Sequence, residues 1–377
     1  MYWENYFLKS GSAFAPFWES YLAENKRNIL FIMGMGFDPR TNVGIKTIYA
    51  IKSEGLKSTV VLRYYNQQED VGTENHPLVQ KHLTELTTFL AVQLLPVFVE
   101  KNIIQRSDDN KSIASINATQ SFNEADFTDY SDVIVDISAM PRGIFLPLLN
   151  KLMKVISDWN STCDPANKKN LHVIVTENAD LDAKIQDRGE AEDGIFIHSL
   201  GVTDTAKTKP HKEVWIALIG EGQTKQYDII RKDIDPAEIC PVLPFPSKDL
   251  KRTDRLIIEY QDLLFNDGSF DPKNIIYAHE ENPFQVYRLM RRAIIRYDES
   301  LSILSGCKII VSVFSSKLLT IGAFLAVYEA RANGKNAGIK HVESLGHELD
   351  ESAENVIEDI LKGNNLVELW LAGNPYE

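Results

Sequence analysis

Residues 132–151 read DVIVDISAMPRGIFLPLLNK. Three β-branched residues, Val133-Ile134-Val135, run into Asp136-Ile137-Ser138, and a tight Ala139-Met140-Pro141-Arg142-Gly143 turn leads to an apolar helix. A strand that hands an acid, a hydroxyl, an arginine and a glycine to the start of a helix is where α/β proteins hold anions. Beyond Gly143 the spacing of Ile144, Leu148, Leu149, Leu152, Val155 and Ile156 is that of a helix packed on a core.

The same alternation extends in both directions. Upstream, Ile29–Met33 is a continuous apolar run, as in a strand buried on both faces of a parallel sheet. It ends in Gly34-Met35-Gly36-Phe37-Asp38-Pro39-Arg40, and a helix is expected to about Glu54. Strands are expected at Ser58–Tyr65, Pro96–Glu100 and Leu171–Thr176, helices at Pro77–Leu94 and from Gly143 to about Trp159, and a loop at Ser107–Ser115. The polar run Thr203–Lys212 reads as a linker, after which the alternation restarts with Glu213–Ile219 and Gly220-Glu221-Gly222-Gln223-Thr224-Lys225. Further strands are expected at Ile239–Phe245, Ile275–Ala278, Cys307–Phe314, Ile339–Glu343 and Leu366–Leu371. Helices are expected at Lys248–Phe265, Pro283–Leu304, from Lys317 to about Ala332, and at Ser352–Leu361. The pattern implies an α/β protein of two tandem Rossmann-like domains, each a mostly parallel sheet flanked by helices. The expected division is an aromatic helical segment at 1–27, one domain at 28–207 and another at 208–377. Tyr2, Trp3, Tyr6, Phe7, Phe14, Phe17, Trp18 and Tyr21 give the first segment the look of a surface packed on a neighbouring domain or subunit.

Bulk composition narrows the class. A chain of 377 residues exceeds one ordinary core, and 44% hydrophobic with 25% charged residues is globular. No apolar run reaches the ~18–20 residues that span a bilayer, and MYWENYFLKSGSAF lacks the basic start and apolar core of an export signal. Three scattered cysteines, Cys163, Cys240 and Cys307, suit a reducing cytoplasm. A net charge of −13 opposes a nucleic-acid coat and leaves room for one local basic groove.

The two halves correspond. Gly34-x-Gly36 and Gly220-x-Gly222 each precede a basic residue, Arg40 or Lys225. Ile134-Val135-Asp136-Ile137 leads to Gly143-Ile144-Phe145-Leu146, as Ile310-Val311-Ser312-Val313 leads to Gly322-Ala323-Phe324-Leu325. Duplication and a merely shared topology both fit.

In a parallel sheet Gly34, Gly36, Asp38 and Arg40 would converge with Asp136, Ser138 and Arg142 at the carboxyl ends of their strands. Arg142 can fork two hydrogen bonds onto a phosphate and Ser138 can add a third. The plainer reading makes Asp38 a helix cap, Asp136 a loop-ordering acceptor and Arg142 its partner. Lys225, Ser316 and Lys317, with Glu221 and Ser315, occupy the matching edge of the second half, where Ser315-Ser316 is equally a plain cap. His279-Glu280-Glu281-Asn282 is a polar loop on that edge. Arg288, Arg292 and Arg296 share one helix face and could meet nucleic acid or an acidic partner, or pair with Asp298 and Glu299.

Standard cofactors are disfavoured. Pro39 stands where GxGxxG needs its third glycine, no GK[ST] follows, and Tyr64-Tyr65-Asn66 replaces the ribose-binding acid. The eight histidines and three cysteines show no metal-ligand spacing, and HExxH and GxSxG are missing. No cofactor and no metal are expected.

The turn formed by Asp136-Ile137-Ser138 and Arg142, with Gly34–Arg40 beside it, resembles the ligand-binding turn of CRISPR-associated Rossmann-fold (CARF) domains. Fused pairs of these resemble the SAVED sensors of prokaryotic antiviral systems. Ala139-Met140-Pro141 stands where such turns usually carry glycines, and no effector domain is recognisable. The resemblance implies a non-catalytic sensor of a nucleotide or oligonucleotide, working with a separate effector protein or a second copy. An enzyme acting on a nucleotide or sugar phosphate, with Asp38 or Asp136 as general base, and a structural subunit of a complex are the alternatives.

Overall fold

The computed structural model describes residues 2–66, 76–109, 111–182, 184–187, 189–203, 212–265, 268, 270–302, 306–350 and 365–376. Along the first half run β1 (Phe7–Ser10), α1 (Phe14–Glu24), β2 (Ile29–Met35), α2 (Val43–Tyr49), β3 (Lys57–Asn66), α3 (Pro77–Val92), β4 (Val99–Arg106) and α4 (Ala114–Gln120). Then come β5 (Asp132–Asp136), α5 (Arg142–Thr162), β6 (Asn170–Thr176), α6 (Ala179–Asp182) and β7 (Ile185–Asp187). The second half contains β8 (Ile195–Phe196), β9 (Lys212–Leu218), α7 (Thr224–Asp233), β10 (Pro236–Pro244), α8 (Arg252–Glu259), α9 (Gln261–Phe265) and β11 (Ile276–Ala278). It continues through α10 (Pro283–Leu301), β12 (Cys307–Val313), α11 (Lys317–Ala332), β13 (Ala337–His341), β14 (His347–Leu349) and β15 (Leu366–Ala372).

Two mostly parallel sheets result, of seven and six strands, as the alternation implied. The first has the order β1-β15-β6-β5-β2-β3-β4 and the second β11-β10-β9-β12-β13-β8. Counted within each parallel run, both follow 3-2-1-4-5, so each reverses direction once, between β2 and β5 and between β9 and β12. That switch point is where α/β sheets open a crevice at their carboxyl ends. In the first unit Ile29, Phe31 and Met33 of β2 pack with Trp18, Ile45, Ile48, Val79 and Leu86. In the second, Trp215 and Ala217 of β9 pack with Tyr227, Ile230, Leu256 and Tyr260.

The chain divides differently from the expected 28–207 and 208–377. One compact unit is Trp3–Gln186 with His347–Glu377, the other Met1–Tyr2 with Asp187–Gly346. The last strand returns to the first sheet, where β15 lies antiparallel between β6 and β1. The N-terminal aromatics therefore do not form a separate segment. β1 pairs Phe7 with Trp370, and Phe17, Trp18 and Tyr21 pack into the first unit's own core. β4 begins where the expected strand nearly ends, because an edge strand needs no apolar run: only Ile103 in VEKNIIQR is buried. The expected Lys248–Phe265 helix is broken into α8 and α9, and α4 falls at the end of an expected loop and beyond it. The Ser352–Leu361 helix and most of the Thr203–Lys212 linker lie outside the described residues.

Candidate functional site

The Gly34–Arg40 and Asp136–Arg142 turns do meet. Met33 of β2 pairs with Asp136 of β5, and the Cβ position of Gly36 lies 3.5 Å from the Ala139 carbonyl oxygen. A side chain at Gly34 would collide with the Tyr64 hydroxyl and with Met140, both buried, so glycine is needed there for close packing.

Several expected ligand groups turn inward. Arg40 is only 3% exposed; its Nε and Nη2 donate to the Asp38 carboxylate at 2.9 and 2.7 Å, and its Nη1 lies 2.8 Å from Asp182 Oδ1. Burial opposes the charge, but Asp38 and Asp182 overcome it and hold the guanidinium protonated. Arg40 is thus held in an internal ion-pair network with Asp38 and Asp182. Asp38 does not cap α2: its Oδ1 accepts from the Arg40 backbone N–H at 2.9 Å, and the helix starts later, at Val43. Ser138 is 1% exposed, its Oγ accepting the Thr176 N–H at 2.9 Å, which ties the β5 turn to the end of β6. Asp136 Oδ1 accepts the Ser138 N–H at 2.9 Å, the loop-ordering role. His82, beyond the reach of sequence reasoning, brings Nδ1 to 2.9 Å from the Gly36 carbonyl; burial lowers its pKa, which favours a neutral ring donating through Nδ1.

Arg142 is left half-buried at the first helical position of α5. In the second unit Lys317, also half-buried, takes the first position of α11. These are the helices that follow the switch-point strands β5 and β12, and neither has an acid in its first turn. A cation at the positive end of a helix costs about 0.3–1 kcal/mol.

The remaining second-unit edge is internally satisfied. Gly220 abuts the Phe314 carbonyl and its own carbonyl accepts the Tyr260 hydroxyl at 2.8 Å, while the Gly222 N–H donates to Glu259 at 2.8 Å. Lys225 pairs with Glu190, and Ser316 caps α11 by accepting the Leu319 N–H at 3.3 Å. Arg252, unnoticed in the sequence, binds Glu221 at 2.6 and 2.8 Å and Glu280 at 3.0 Å. His279 Nδ1 accepts the Glu281 N–H at 3.1 Å, so that loop is a hydrogen-bonded turn. On α10, Arg292 and Arg296 are exposed and Arg288 is half-buried, while Asp298 pairs with Lys335 at 2.5 Å rather than with these arginines. Among the described residues no group of three His, Cys, Asp or Glu is placed to hold a metal ion, and no helix is long and apolar enough to cross a membrane.

No protein-family model matches the sequence, and neither does any curated protein. Among solved structures, a type III CRISPR defence DNA nuclease activated by cyclic oligoadenylate aligns over 89% of this chain and 69% of its own, at 9% identity and TM-score 0.46. A putative universal stress protein from Pseudomonas aeruginosa UCBPP-PA14 aligns over 90% of this chain and 98% of its own, at 10% identity and TM-score 0.20. The architecture is defined by the strand order of the two sheets.

Proposed function

We propose that the chain is a binding and sensing protein that takes an anionic ligand of the nucleotide or oligonucleotide class at the carboxyl edge of its Rossmann-like units and works with a separate effector, in prokaryotic antiviral defence. One observation carries this reading: both switch-point helices begin with a cation, Arg142 or Lys317, against the helix dipole and with no acid in the first turn. The ligand class and the defence setting come from the resemblance of the Asp136–Arg142 turn to CARF and SAVED turns. Arg292 and Arg296, exposed on α10, are the surface offered to an acidic effector or to nucleic acid. An enzyme using Asp38 as general base is less well supported, because that carboxylate is committed to Arg40.

A thermal-shift screen against mononucleotides and against linear and cyclic oligonucleotides tests the proposal. At least one should raise the unfolding midpoint of the wild type and fail to do so in Arg142→Ala. No response to any of them, or an undiminished response in that variant, removes the reading.

A further inference from the structure

At the amino ends of β5 and β6, away from the edge described above, the first unit buries a second polar cluster. His172 of β6 is wholly buried, with Nδ1 2.7 Å from Glu368 Oε1 of β15 and Nε2 3.4 Å from Asp132 Oδ1 of β5. Both acids are 0% exposed. Asp132 also accepts the Tyr21 hydroxyl of α1 at 2.5 Å, Ser131 Oγ at 2.6 Å and Asn170 Nδ2 at 3.1 Å, and the Arg27 guanidinium stands 3.8 Å away. Trp18 of α1 and Trp370 of β15 cover the imidazole, with ring centroids at 5.1 and 4.7 Å.

A neutral imidazole has one N–H and one lone pair. With an acid oxygen facing each nitrogen, a neutral ring between two ionised acids would aim its lone pair at a carboxylate where no water can intervene. The cluster therefore keeps one proton more, and the imidazole, more basic than either carboxyl, carries it. We propose that His172 is a buried imidazolium shared by Asp132 and Glu368, and that this triad is a latch fastening β15 to the first sheet, released when the proton is lost.

The titration has a definite sign. Burial opposes the charge, yet Glu368 and Asp132 lift His172 to about 9, and burial raises Glu368 as well. A folded value above the unfolded one means that the latch is complete below the ordinary histidine value of 6.5 and is lost as pH rises through about 9. Asp132 is held low by His172, Ser131 and Tyr21 in spite of its burial, so its share fails only in acid. Burial and Asp132 push Tyr21 upward, so it remains a donor throughout the alkaline range.

The test uses the full chain with labelled histidine. Nitrogen NMR, with His172 assigned through His172→Gln, should show both ring nitrogens protonated at neutral pH and titrating near the alkaline value above. Hydrogen exchange, corrected for its intrinsic base catalysis, should show Leu366–Ala372 losing protection across that titration while Phe14–Glu24 and Lys57–Asn66 keep theirs. Glu368→Gln should move the His172 titration to lower pH. If either variant fails to fold, neighbouring histidines are assigned by substitution instead, and the wild-type titration and exchange decide alone. A bare ring nitrogen on His172 at neutral pH, or protection lost uniformly across the first unit, overturns the proposal.

Discussion

In the first unit the switch-point edge carries an ion pair that water barely reaches: the side chains of Arg40 and Asp38 are 3% and 9% exposed, and only Asp182, at 46%, is wet. In the second unit the counterpart is more accessible: Arg252 and Glu280 are 17% and 13% exposed and Glu221 is 47% exposed. The strand order is the same, and each edge sets one arginine between two acids. What differs is the medium. A buried pair is expensive to break because the survivor keeps its charge where nothing solvates it, whereas a wet pair is replaced by water at little cost.

Arg40→Ala should therefore destabilise the chain by roughly 3–5 kcal/mol, while Arg252→Ala should cost about 1 kcal/mol or less. Urea denaturation monitored on each unit's own signals measures both, and equal losses would break the comparison. The glycines sharpen it. A methyl at Gly220 meets the Phe314 backbone, and one at Gly34 meets the tip of Tyr64. Gly220→Ala should cost about 1–3 kcal/mol and Gly34→Ala less, since a side chain can move where a main chain cannot. The smallest effect is a pH dependence. Burial works to raise the Glu221 carboxyl, but Arg252 holds it below the usual glutamate range. Its folded value lies below the unfolded one, so its contribution is present above the usual glutamate range and is lost as pH falls through the lowered folded value. The decline should flatten in Arg252→Ala; an unchanged slope would place the acid sensitivity elsewhere.

The parallel cores were legible because strands buried on both faces must be apolar throughout. Ile29–Met33 and Cys307–Phe314 announce themselves in that way. The alternation alone sets Gly34–Arg40 and Asp136–Arg142 at the carboxyl ends of their strands, and those turns do touch. The return of β15 to the first sheet was not legible, because strand pairing over such a separation leaves no local trace. The half-exposed β4 was displaced for a related reason: an edge strand carries polar residues that read as loop. Asp38 and Arg40 read together as ligand groups because nothing local in the sequence marks them as partners of each other. Asp182, which completes the pair, lies far along the chain with no signal pointing to it. Arg142 and Lys317 could be named from sequence, but their equivalence as first residues of matching helices needed the helix boundaries.

The central claim is that these helix starts face an anion. Isothermal titration of the wild type, Arg142→Ala, Arg142→Lys and Lys317→Ala with whichever oligonucleotide or nucleotide shifts the wild type tests it most directly. Loss of a charge-assisted contact of about 1.5–3 kcal/mol predicts an affinity at least tenfold lower in Arg142→Ala, with partial recovery in Arg142→Lys, which keeps the charge and loses the fork. Lys317→Ala should weaken a second binding event or the same one. Unaltered affinity in both alanine variants, with each protein folded, would contradict the account.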